Sequence, residues 1–191
     1  MRHPRRARRL GGRSRGAAAV EAALVLPVIL VIFFAILEFG LLFKDWLGVV
    51  SAVRAGARIA SAEPRVSTFA QDAANQVANA STAIDMSGLQ AMCVYQADSN
   101  GNPIGGNGSF TSCSTCVKFT WDSTNKKFVK ATDGWAWSQQ NACLGDSGHD
   151  SVGIYMELNH KSFTNAIFTS IVLKEHVVMS LEPMPTTSGG K

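Results

Sequence analysis

The N-terminal part of the chain is dominated by one long apolar run. Residues 22–37, AALVLPVILVIFFAIL, contain no charged and no strongly polar side chain, and apolar character continues to Phe43. As a helix, residues 17–43 would be about 40 Å long, enough to cross a hydrocarbon core of about 30 Å. Pro27 lies inside the run, where membrane helices tolerate a proline and the kink it causes. The pattern predicts one transmembrane helix over residues 17–43.

The helical spacing continues past the apolar run. Residues 44–64 are predicted to extend the helix as a stalk, because apolar residues three and four apart form one stripe: Trp46, Val49, Val50 and Val53. Arg54 and Arg58 lie four residues apart on another face. Glu63-Pro64 is predicted to end the helix.

A second helix and five strands are predicted in the remainder. Apolar spacing predicts a helix from Thr68 to Ile84, with Ser67 or Thr68 as its N-cap. The apolar period then falls to two, which predicts strands over residues 89–96, 116–121, 127–130, 151–159 and 173–181. Short turns favour an antiparallel meander. The predicted fold class is α+β, with a small antiparallel β-meander head over 65–184 and a flexible tail over 185–191.

Charge is distributed unequally along the chain. Seven arginines and no acidic residue lie in residues 1–16, whereas the whole chain carries +4, so the remainder carries −3. Basic residues directly before an apolar segment hold that end in the cytoplasm. We therefore predict a basic cytoplasmic leader over residues 1–16, a lipid-embedded helix and an extracytoplasmic head, and no nucleic-acid binding.

Two ordinary membrane segments could explain this N-terminus. A cleaved secretory signal needs a small-residue site close to its apolar run, but Ala60-Ser61-Ala62 lies far beyond the run. An uncleaved signal anchor fits the hydropathy, but it explains neither Gly16 nor Glu21.

Arg15-Gly16 followed by the sequence AAAVE resembles a type IV prepilin cleavage site. The resemblance implies that a prepilin peptidase cuts after Gly16 on the cytoplasmic side, so that Glu21 becomes the fifth residue, where pilins carry glutamate. The cut would create a new amine at Ala17. A carboxylate four residues later lies on the same helical face. In a packed filament it can neutralise the amine of a neighbouring subunit.

Longer motifs resemble one family, the TadE-like pilins of the tight-adherence (Tad/Flp) branch of type IV pilus systems. These motifs are GAAAVEAALVLPV from Gly16, Glu38-Phe39-Gly40, RAGARIA from Arg54, SVGIY from Ser151, Asn159-His160 and HVVMSLEP from His176. Ser180 stands where the family often has arginine. The resemblance implies a minor pilin or pseudopilin in the cytoplasmic membrane. Its implied partners are the prepilin peptidase, other Tad pilus subunits and the inner-membrane assembly platform.

The cysteines Cys93, Cys113, Cys116 and Cys143 all fall in the predicted extracytoplasmic part. An even number there predicts two disulfides, with three possible connectivities. Two other interpretations of Cys113-x-x-Cys116 are weaker. A redox pair needs a helix N-terminus, and a zinc site usually has a second close pair. We predict no metal and no cofactor.

Other candidate sites are also better explained by structure than by chemistry. Residues 98–102, DSNGN, begin like an EF-hand loop, but Pro103 occupies position six, so a hairpin turn is predicted. Trp121, Trp135 and Trp137 could form a sugar-binding platform, but packing within the head is favoured. The sequence contains no recognisable catalytic motif, and we expect no enzyme.

Two rival functions therefore stay open at the level of sequence. The first is an uncleaved, signal-anchored binding module, such as an adhesin, unrelated to pili. The second is an anchored thiol oxidoreductase that uses Cys113. A minor pilin cleaved after Gly16 explains more of the N-terminal sequence than either rival does.

Overall fold

A computed structural model describes residues 13–143, 148–165 and 167–184. Helix α1 (Arg13–Ala62) and helix α2 (Phe69–Ala80) precede five strands: β1 (Leu89–Ala97), β2 (Cys116–Asp122), β3 (Lys127–Lys130), β4 (Ser151–Lys161) and β5 (Ser170–Ser180). The α+β class is thereby confirmed. Leader residues 1–12 and the predicted tail 185–191 lie outside the described residues. The chain divides into two compact units, Met1–Gly40 and Leu41–Lys191.

Helix α1 is continuous over 50 residues and passes through Pro27. It ends at Ala62, one residue before Glu63-Pro64. The residue before a proline disfavours helical backbone, so the helix stops where the sequence predicts.

The stripe that α1 buries within the second unit differs from the predicted one. Val49 and Val53 are fully buried, but Trp46 is 41% exposed, and its predicted place in the stripe is wrong. The buried face continues instead through small side chains: Ala52, Gly56, Ala57 and Ala60. Small residues let neighbouring elements approach the helix closely, which a tryptophan would prevent.

Gly56 is the point of closest approach on this face. A Cβ added there would lie 2.5 Å from Val77 Cγ2 of α2 and 2.8 Å from Ile154 Cδ1 of β4. Real side chains essentially never come so close. The glycine of the RAGARIA motif therefore allows α2 and β4 to pack against the same turn of α1.

Helix α2 is shorter at its C-terminal end than the sequence predicts. It ends at Ala80, where the Ser81 hydroxyl donates a 2.6 Å hydrogen bond to the Val77 carbonyl, and the chain turns. Ile84, predicted as helical, is buried beyond that turn. Thr68 occupies the predicted N-cap position, but its side chain makes no capping hydrogen bond.

The five strands form one antiparallel sheet in the order β3-β2-β1-β4-β5. The order departs from a simple meander at one connection, because β4 pairs with β1 and not with β3. Strand β3 has four residues, of which only Phe128 is buried, so it serves as an edge. Strand β4 is longer and mostly buried, and it takes a central position between β1 and β5.

The two faces of the sheet are covered by different parts of the chain. One face carries apolar side chains such as Val94, Phe119 and Met156, which join the core formed with α1 and α2. The other face carries Tyr95 and Tyr155. The loop between β1 and β2 covers this second face, where Phe110 stacks on Tyr155 with ring centroids 4.6 Å apart.

Candidate functional site

The residues of the predicted cleavage site lie near the beginning of α1. Gly16 and Ala17 are both helical and exposed. A Cβ added at Gly16 would meet nothing within 4 Å. Glycine in a helix costs about 1 kcal/mol relative to alanine. No contact among the described residues requires glycine at this position.

Glu21 follows Ala17 by four residues in the same helix, which puts the two on one face about 6 Å apart along the axis. Its side chain is exposed. This geometry allows the carboxylate to meet an amine from another molecule. The pairing itself stays a prediction.

The segment after Glu21 exposes apolar side chains on all sides. From Leu24 to Phe33 the large apolar side chains are between 44% (Leu30) and 72% (Leu24) exposed. A helix that is apolar all round must be buried in other apolar material. Within the described residues, Gly16–Ala62 is the one helix long and apolar enough to cross a membrane. These properties support membrane anchoring through α1.

The outer side of the stalk is basic. Arg54 and Arg58 are both exposed, on the face opposite the buried stripe that contains Val53 and Ala57. Their predicted separation from the apolar face is confirmed. They are available to contact another molecule.

One of the possible cysteine pairings is present in the structure. A disulfide joins Cys113 and Cys116, whose Cα atoms are 5.3 Å apart. Cys93 remains a buried thiol that donates a hydrogen bond to the Phe110 carbonyl over 3.1 Å. One disulfide thus joins two of the predicted candidates, and a second disulfide stays a prediction. Cys143 is buried elsewhere, where its backbone is bridged to Met184.

The Cys93 thiol has low reactivity in this environment. Burial raises its pKa from 9.0 to about 12, although the positive charge of Lys118 and a backbone hydrogen bond to Tyr155 act in the opposite direction. Because the thiolate is the reactive form, Cys93 reacts slowly near neutral pH. Cys116 Sγ lies 3.6 Å from the same Phe110 carbonyl oxygen. The sulfur atoms and Phe110 thus hold the β1–β2 loop against the sheet.

The Asp98 loop and the tryptophans have structural roles. The Asp98 carboxylate accepts hydrogen bonds from the backbone N–H groups of Asn100 and Asn102, each 2.8 Å long, and closes the predicted turn. Trp135 is buried against Phe69, with ring centroids 5.6 Å apart.

The remaining two tryptophans lie in different environments. Trp121 packs against Phe128 with ring centroids 5.1 Å apart, whereas Trp137 is 43% exposed. With Trp135 in the core, the three do not form one exposed platform.

Sequence analysis missed a polar pair between the stalk and the sheet. His160 Nδ1 of β4 lies 2.7 Å from Asp45 Oδ2 of α1, and both residues are largely buried. Lys44 Nζ lies 3.0 Å from the other carboxylate oxygen of Asp45. The only sequence signal was the Asn159-His160 motif, which lies 115 residues from Asp45. A contact over that separation cannot be inferred from local spacing.

Comparison with known proteins agrees with the N-terminal motifs. The family model described as "TadE-like protein" matches residues 16–58, from the predicted cleavage glycine to Arg58 in the stalk. No match was found among curated proteins or among solved structures. The expected resemblance is therefore confirmed over residues 16–58, where the chain is similar to the TadE-like family.

Proposed function

We propose that this chain is a TadE-like minor pilin, or pseudopilin, that is made as a prepilin, cleaved after Gly16 and used in Tad pilus assembly and adherence. It acts by assembly and not as an enzyme. Its partners are the prepilin peptidase, other Tad pilus subunits, the inner-membrane assembly platform and the lipid bilayer.

The observation that carries the proposal is the position of Gly16, where an added Cβ would have no neighbour within 4 Å and which lies near the N-terminal end of an exposed apolar helix. No neighbour within 4 Å requires glycine there, and the TadE-like family match begins at this residue, which supports its recognition by a prepilin peptidase. Cleavage would also remove seven arginines. Charged residues anchor the end of a membrane helix to the interface, so their loss would ease the transfer of α1 from the bilayer into a filament.

Glu21 supplies the negative charge in the proposed contact between subunits. A carboxylate at the centre of a bilayer costs about 2.5–3.5 kcal/mol on insertion scales, and less near the edge. In a filament, the new amine of Ala17 from a neighbouring subunit would neutralise it. An unpaired charge would therefore be tolerated in the membrane and stabilised on assembly.

The proposed orientation puts the leader in the cytoplasm and the head outside. The basic residues before the apolar run support it. The Cys113–Cys116 disulfide in the head agrees with an oxidising compartment.

The decisive experiment determines the N-terminus of the protein recovered from cell membranes, by mass spectrometry. We expect Ala17. A chain that starts at Met1 or Arg2, in cells with an active prepilin peptidase, would instead support an uncleaved, signal-anchored module.

A chain that starts at Glu63 would indicate a cleaved secretory signal. The fold argues against such a cut, because it would remove Val49, Val53 and Ala57, which are fully buried in the head. Deleting three such side chains from a core costs several kcal/mol.

A further inference from the structure

The β4–β5 hairpin reaches the end of the head at which the chain leaves the apolar segment. Strand β4 runs antiparallel to the stalk: at one end the Glu182 N–H donates to the Ser61 carbonyl over 2.8 Å, and the Leu181 N–H donates to the Asp150 carbonyl just before β4. At the other end of β4, His160 contacts Asp45. The loop that follows β4 therefore extends beyond the level of Asp45.

This loop, residues 162–169, presents apolar side chains where turns are usually polar. Phe163 is 75% exposed and Ile167 is 44% exposed. The loop is closed by a hydrogen bond from the Ser162 N–H to the Thr169 carbonyl, 3.0 Å long. The Asn165 N–H also donates to Ser162 Oγ over 2.9 Å. Transfer of such exposed apolar surface from water into an apolar environment is favourable.

The neighbouring part of the stalk has the composition of a membrane interface. Phe43 is 55% exposed and Trp46 is 41% exposed, and their rings contact each other edge to face. Lys44 is also exposed, as is Lys161 at the end of β4. Aromatic residues are enriched where helices leave a bilayer, and lysines there attract anionic headgroups.

We infer that the tip of the β4–β5 hairpin inserts its apolar side chains, Phe163 and Ile167, into the outer interface of the bilayer. The partner is a lipid surface with anionic headgroups, which Lys44 and Lys161 contact. The Asp45–His160 pair holds the hairpin at this level of the stalk. The head then has a second attachment to the membrane, which must be released before the subunit leaves the bilayer. This inference rests on the membrane anchorage in the proposed function.

Site-specific photo-crosslinking of the full chain in membranes tests the inference. A photoreactive phenylalanine analogue replaces Phe163 or Ile167, one position at a time, and mass spectrometry detects lipid adducts. Val66 is the matched control, because it is 41% exposed but lies just past the opposite end of the stalk. Leu30, in the apolar run, serves as the positive reference.

We expect lipid adducts at positions 163 and 167 at about ten times the yield at position 66, because an inserted side chain contacts acyl chains directly. Adducts at position 30 with none at 163 and 167 would overturn the inference and leave the membrane anchorage intact. Crosslinking of position 163 to protein in place of lipid would also overturn it. Absence of adducts at position 30 would overturn the anchorage itself.

Discussion

The apolar side chains of α1 are exposed in one part of the helix and buried in the other. In the first unit they are exposed on all sides, as at Leu24 (72%) and Ile36 (67%). In the second unit they form one buried stripe that includes Val49 and Val53. The part of α1 with one apolar face buries that face against its own chain. The part that is apolar all round needs apolar material outside the chain to bury it.

The glycines of α1 show the same contrast. Gly16 and Gly40 have nothing within 4 Å of an added Cβ, whereas Gly48 and Gly56 would clash with their neighbours. Packing thus explains glycine in the second unit but not in the first. Substitutions at these and neighbouring positions test this contrast.

The largest expected effect is that of Gly16→Leu. Because the position is open, the larger side chain leaves the helix intact, and leucine is a better helix former than glycine. We expect complete loss of cleavage, measured as retention of the leader by intact-mass spectrometry. Gly40→Leu, at an equally open position in the same helix, is the matched control and should be cleaved normally. Equal cleavage of both variants would remove the main support for processing at Gly16.

Glu21→Gln is expected to have the next largest effect. The variant should be inserted and cleaved normally, but it lacks the charge that would meet the neighbouring amine. A loss of about 1.4 kcal/mol in the free energy of a contact lowers its binding constant about tenfold. We therefore expect the amount of assembled pili to fall at least about tenfold. Pili sheared from the cell surface can be quantified by immunoblot. Glu21→Asp retains the charge and should restore part of the assembly; normal assembly of Glu21→Gln would argue against the pairing.

Gly56→Val tests the packed part of the helix. Its methyl groups would overlap Val77 and Ile154, so we expect the free energy of unfolding of the head to fall by about 1–3 kcal/mol. Urea unfolding of the full chain in detergent, followed by tryptophan fluorescence, measures this change, since Trp135 is buried in the head. Gly40→Val is the control and should leave the unfolding midpoint unchanged. A stable Gly56→Val head would mean that α2 and β4 can move away from the stalk.

Asp45→Ala is expected to destabilise the head no more than Gly56→Val does. Asp45→Ala leaves the buried His160 ring without its 2.7 Å partner, at a cost of about 1–3 kcal/mol in unfolding free energy. Arg54→Ala, on the exposed face of the same helix, should change that free energy by less than about 0.5 kcal/mol. The same urea titration compares the two variants. Equal effects would mean that the buried pair does not fasten the stalk to the sheet.

Local sequence pattern was sufficient wherever one element's own residues determine the outcome. The stop of α1 before Pro64 and the strand from Lys127 to Lys130 follow from proline geometry and from alternating side chains. The apolar run and the motif around Gly16 also led to the family match over residues 16–58. The placement of Trp46 in the buried stripe failed, since spacing alone does not show which residues face a neighbour.

Contacts between residues far apart in the chain follow from tertiary packing and not from local pattern. The central position of β4, the contact of His160 with Asp45 and the contact of Cys93 with the Phe110 carbonyl all depend on how separate elements pack. The spacing of apolar side chains along a segment indicates whether it forms a helix or a strand. The order of the strands in the sheet depends instead on which long apolar strand is paired along both of its edges. Local patterns along the chain therefore define the elements and the motif around Gly16, and the packing of the head defines the contacts between those elements.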